Sequence, residues 1–103
     1  MQDLPSQEFL ESLIVRKKDT EAPYKKVVIY FTAKWCGPCK RIDSAGMAKS
    51  RPDIAWFKCD VDAFEYTATY CNVSSIPSFM AIIDGKPLPL VDATDLKGLL
   101  AKV

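Results

Sequence analysis

The run Val27-Val28-Ile29-Tyr30-Phe31 stops three residues short of Trp35-Cys36-Gly37-Pro38-Cys39-Lys40. This junction constrains the fold more than any other stretch. Five consecutive apolar residues are too uniform for a half-exposed strand and read as a central parallel strand covered on both faces. A helical pattern follows, so two thiols spaced C-x-x-C sit at a strand-to-helix junction, the arrangement of a redox dithiol.

A chain of 103 residues, about half of them hydrophobic, is long enough for one domain with one core, and residues 1-103 are read as such a unit. Lys plus Arg number 14 and Asp plus Glu 13. That balance carries no nucleic-acid footprint and no acidic tail. Met1-Gln2-Asp3-Leu4-Pro5-Ser6 is not a basic segment leading into an apolar one, and no apolar run approaches membrane-spanning length. A cytoplasmic location without contact to nucleic acid or membrane is therefore expected; a monomer is also expected, with the sequence leaving the oligomeric state open. In the cytosol ordinary thiols stay reduced, so four cysteines point to catalysis or metal binding rather than structural staples. Zinc needs about four ligands. Cys59 and Cys71 are not a second C-x-x-C and the sequence has no His, so metal binding is set aside.

Ser6 is suited to cap a helix whose apolar positions Phe9, Leu10, Leu13 and Ile14 share one face, with Arg16, Lys17 and Lys18 in its last turn. Asp19 to Lys26 reads as a connection. After the cysteines, a helix is expected to continue through Ile42, Ala45 and Met47 and to stop before Pro52. Ala55 to Val61 then reads as a strand, and Phe64 to Cys71 as a short helix. Phe79-Met80-Ala81-Ile82-Ile83 forms a strand ending at Asp84-Gly85, a strong hairpin turn signal. Pro87 and Pro89 place the following strand at a sheet edge. Leu96, Leu99, Leu100 and Val103 space out a closing helix. The class is α/β, with parallel strands followed by an antiparallel hairpin.

A free thiol of pKa about 8.5 is a few per cent thiolate at neutral pH, and the thiolate is the attacking species. Cys36, at the junction, meets the unpaired backbone N–H groups and partial positive charge of a helix start. Lys34, Lys40 and Arg41 are cationic neighbours. A pKa lowered by about 1.5 units corresponds to roughly 2 kcal/mol of preferential thiolate stabilisation. Cys39, one turn on, is expected to be more buried and less acidic. Cys36 would thus attack a substrate disulfide, and Cys39 would attack Cys36 to release the reduced substrate. Pro38 suits a first helical turn, and Gly37 leaves the approach open.

Trp35-Cys36-Gly37-Pro38-Cys39-Lys40 resembles the thioredoxin active-site motif at every position. Ile76-Pro77-Ser78-Phe79 resembles that family's cis-proline segment, and Lys58-Cys59-Asp60-Val61-Asp62 its strand ending near the site. The resemblance covers essentially the whole chain. It implies a thioredoxin fold, a central mixed β-sheet flanked by helices on both faces. It also implies a protein-disulfide reductase with no bound cofactor, recharged by an NADPH-dependent thioredoxin reductase. A cis Ile76–Pro77 bond follows from it, with Pro77 beside the dithiol and the Ile76 backbone pairing with an extended substrate. Trp35 would help form the docking surface, with Asp62 as its polar partner.

Three positions depart from the family pattern. Tyr30 stands where a buried Asp usually helps deprotonate the resolving thiol, and a phenol is a poor substitute for a carboxylate base. Either water or another group relays that proton, or the resolving step is slow. Ser44 replaces a helix-kinking proline, so a straighter helix is expected. Asp92 replaces a glycine before the last helix, in the substrate groove. Trp56 and Cys59 read as core. Cys71 is either core or a regulatory thiol, and Lys58, Asp60 and Asp62 are either solvated strand residues or neighbours of the dithiol. Two rivals to the reductase remain: a disulfide oxidant or isomerase, and a redox-inert binding module on the same fold.

Overall fold

In the computed structural model, which describes residues 1–14 and 24–103, the apolar run becomes β2 (Lys26–Thr32) at the centre of a mixed sheet. Parallel to it lies β3 (Ala55–Asp60), with Tyr30 opposite Lys58 and Thr32 opposite Asp60. On its other side β4 (Ser78–Ile83) runs antiparallel, with Tyr30 opposite Phe79. β1 (Gln2–Asp3) extends the sheet beyond β3. β5 (Lys86–Pro87) and β6 (Val91–Asp92) both pair with β4, so Pro87 lies at an edge that needs no ladder donor from it. Asp84 and Gly85 turn the hairpin with φ of 51° and 80°, the geometry that favours this dipeptide.

Strand alternation divides the core into two layers. Val27, Ile29, Phe31, Phe57, Cys59, Met80 and Ile82 face one side, where α1 (Gln7–Leu13) and α3 (Glu65–Tyr70) cover them. Val28, Tyr30, Trp56, Phe79 and Ala81 face the other. Here α2 (Ser44–Ser50) and α4 (Leu96–Lys102) pack, and this layer also holds Cys36 and Cys39. Each large apolar side chain so buried contributes about 1.5–3 kcal/mol. The uniform run of β2 thus has its reason in cover from both sides.

The first helix starts as read, with the Ser6 hydroxyl accepting from the Phe9 N–H at 3.1 Å. It ends at Leu13, because Ile14 is extended (ψ 112°); Arg16, Lys17 and Lys18 lie outside the described residues. The expected continuous helix after the cysteines does not form. A 3₁₀ turn, Pro38–Arg41, is followed by extended Ile42 (ψ 122°) and then by α2. Asp43 causes the restart: its carboxylate accepts from the Gly46 N–H at 2.9 Å and caps α2. The segment is therefore broken rather than straightened, although Ser44 replaces the family's proline.

Candidate active site

Both cysteines lie beyond the end of β2, on the sheet face shared with Tyr30. The Cys36 N–H donates to the Ala33 carbonyl at 3.2 Å. Pro38 opens the 3₁₀ turn, where a missing N–H costs nothing. Cys36 and Cys39 are joined as a disulfide with Cα atoms 5.3 Å apart. Their exposures, 2% and 6%, do not rank Cys39 as the more buried.

The electrostatics at the pair are local. One four-residue 3₁₀ turn offers little of a macrodipole, but the Cys39 N–H donates to Cys36 Sγ at 3.2 Å. A donor aimed at one sulfur favours negative charge on that sulfur. The asymmetry between the cysteines therefore rests on a single backbone N–H.

Around the pair, Trp35 is 67% exposed, and its indole N–H donates to Asp62 at 2.6 Å, so a large aromatic surface is held in one orientation beside the disulfide. Ile76–Pro77 is cis, and the Ser78 hydroxyl donates to the Ser75 carbonyl in the same loop. Ile76 packs against the layer containing the cysteines. Together with Trp35, it lines a groove with Val61, Glu65, Thr69 and Val73. Glu65 and Thr69 were not singled out from the sequence. Their i, i+4 spacing behind the Val61 strand end was the available signal.

Beneath the turn, the Tyr30 hydroxyl donates to the Cys39 carbonyl at 3.3 Å, and its ring stacks on Phe79 at 4.9 Å. Lys58 borders the same groove as Cys39 and Tyr30, 3.8 Å from Asp3. The structure therefore brings together Trp35, Asp62, Tyr30, Lys58 and the two cysteines. Asp92 lies farther out on β6, where its carboxylate accepts from the Asp95 N–H at 3.1 Å. Trp56 is core, its indole N–H donating to the Arg51 carbonyl at 3.2 Å. Burial pushes the Cys59 thiol up to about 12 and the Cys71 thiol up to about 11. Among the described residues, no group of three or more His, Cys, Asp or Glu could hold a metal ion.

The thioredoxin family model matches residues 7–103. The chain belongs to the thioredoxin family. A thioredoxin from Geodia cydonium is 41% identical over 86 residues, covering 81% of each chain. The structure of Fasciola hepatica thioredoxin superposes with a TM-score of 0.81 at 32% identity, covering 99% of this chain and 98% of that one. A TPR repeat-containing thioredoxin from Oryza sativa is 40% identical over 79 residues, 75% of this chain, and the chain spans 25% of that relative's length. The domain is thus a thiol-disulfide oxidoreductase domain with the family's redox-active cysteine pair, and family members are protein-disulfide reductases.

Proposed function

We propose that this protein reduces disulfides in other proteins through a Cys36/Cys39 cycle. The Cys39 N–H on Cys36 Sγ carries the reading, because it selects Cys36 as the sulfur that bears charge. The Cys36 thiolate attacks one sulfur of a substrate disulfide, forming a mixed disulfide and releasing the other as a thiolate. Cys39 then loses its proton and attacks Cys36, so the substrate leaves with two added electrons and the protein disulfide closes.

Trp35, Gly37, Pro38, Ile76 and Pro77 form the docking surface for an extended substrate segment. Asp62 fixes Trp35, Tyr30 holds the Cys39 turn from below, and Lys58 borders it. No helix among the described residues is long and apolar enough to cross a membrane. The proposed role is cytoplasmic, in electron transport and redox homeostasis. A thioredoxin reductase drawing on NADPH returns the disulfide to the dithiol.

Insulin reduction with dithiothreitol tests this reading. Turbidity should develop well ahead of the dithiothreitol background for the native sequence and fall to background in Cys36→Ser. Full activity in that variant, or none in the native protein, refutes it.

A further inference from the structure

Resolution of the mixed disulfide leaves a proton without an assigned acceptor. Cys39 must ionise before it attacks Cys36, yet the phenol beneath it is committed to the Cys39 carbonyl. One solvent-open groove of about 530 Å³ reaches Cys39, roomy and polar enough for several waters. In β3 the side chains alternate, with Phe57 and Cys59 in the opposite core layer. Lys58 and Asp60 therefore share the face of Tyr30 and Thr32 and line this groove together with Cys39.

The groove has two carboxylates. Asp3 pairs with Lys58, and its side chain is 86% exposed, so it belongs to bulk solvent. Asp60 is half-buried, and its Oδ1 accepts from the Asp62 N–H at 2.9 Å, which fixes the carboxylate where β3 ends. The remaining charged or titratable wall groups are Tyr30, Lys34, Lys40 and Lys58. The three lysines favour an anion in the groove, and none of them is a base while protonated.

The geometry points to Asp60 as the acceptor, through groove water, of the Cys39 thiol proton. This rests on the reductase reading above. The Cys39 S–H proton passes to water and on to the Asp60 carboxylate, and the Cys39 thiolate then bonds to Cys36 Sγ. The Cys36–substrate bond breaks, and the substrate sulfur departs as a thiolate that takes a proton from solvent. Asp60 then returns its proton to the groove. Two protein thiols are oxidised to one disulfide, and the substrate disulfide is reduced by the same two electrons.

Asp60→Asn tests the assignment, because an amide oxygen still accepts from the Asp62 N–H while the base is gone. With sub-stoichiometric dithionitrobenzoate and reduced protein, attack by Cys36 releases one nitrothiobenzoate, and resolution releases the second in a concentration-independent phase. Positioned bases contribute about 10²–10⁴-fold, and through water a smaller effect is expected. The second phase should slow about tenfold at pH 7 and by less than about twofold at pH 9.5, above the ordinary thiol range of about 8.5, where hydroxide removes the need for a positioned base. Asp60→Glu should recover most of the rate, and the first phase should not change. An unchanged second phase, or one slowed equally at all pH values, overturns the assignment. Should circular dichroism show Asp60→Asn unfolded, Asp60→Ser, whose hydroxyl can accept the same N–H, is read by the same criteria. Failure of Cys39→Ser to form any mixed disulfide overturns the reductase reading as well; a mixed disulfide followed by Asp60-independent resolution overturns this inference alone.

Discussion

At residue scale the four cysteines divide by environment. Cys36 has a backbone N–H aimed at its sulfur, whereas Cys59 and Cys71 are buried in the opposite core layer. Burial raises the Cys59 thiol to about 12, with the nearby Cys71 and Asp60 adding to the shift. In the unfolded chain this thiol ionises near its ordinary value, about 8.5. As pH rises through about 8.5 the unfolded state loses its proton first, so the stabilising contribution of Cys59 is complete only below that pH and declines from there toward 12. Denaturant melts with a reductant present should therefore show the stability gap between the native protein and Cys59→Val shrinking from pH 8 to pH 10.5. A pH-independent gap contradicts this environment. The reading of Cys59 as a small buried hydrophobe was available from its place in an apolar strand, whereas the difference between Cys36 and Cys39 was not. That difference depends on which N–H points at which sulfur, a detail of the 3₁₀ turn that spacing alone does not determine.

At element scale the break between the 3₁₀ turn and α2 sets how the Cys39 turn is held. Helix periodicity runs through Ile42, Ala45 and Met47 without interruption, which is why a continuous helix is the natural reading. One side-chain cap at Asp43 overrides it, at a site where Ile42 has already left helical geometry. Gly46 records the same choice, because a Cβ there would overlap the Asp43 carboxylate. In an isolated helix Gly→Ala gains about 1 kcal/mol, and loss of an Asp cap costs about 1 kcal/mol. Gly46→Ala should thus be nearly neutral in urea unfolding, Asp43→Ala should destabilise by about 1 kcal/mol, and Gly46→Ala added to Asp43→Ala should restore about 1 kcal/mol. Additive effects would mean that the cap and the glycine are independent. The two-residue β1 escaped the sequence reading for a different reason. Its signal is backbone pairing with β3 and not a pattern of side chains.

At the scale of the whole molecule, the sheet is what makes the chemistry possible. β2 and β3 end side by side, so the disulfide turn after one and the Asp60–Asp62 corner after the other meet above a single face. Arg51 anchors the far end of that layer, its guanidinium donating to the Leu100 and Val103 carbonyls at 2.9 and 2.8 Å and so fixing α4 beneath the sheet. Most of this frame is legible in the chain: β2 and β4 as uniformly apolar runs, the hairpin in Asp84-Gly85, the closing helix in the leucine spacing. The Tyr30 contacts with Cys39 and Phe79 are not, because they join segments that only the folded sheet brings together. The proposed cycle depends on Cys36 being the sulfur that carries charge. Iodoacetamide labelling of the fully reduced protein against pH, read cysteine by cysteine by peptide mass spectrometry, tests this directly. Cys36 should be labelled first, with a midpoint below the ordinary value of about 8.5, while Cys39, Cys59 and Cys71 lag at neutral pH; labelling of Cys39 ahead of Cys36, or a Cys36 midpoint at or above the ordinary thiol value, would contradict a charge-bearing Cys36.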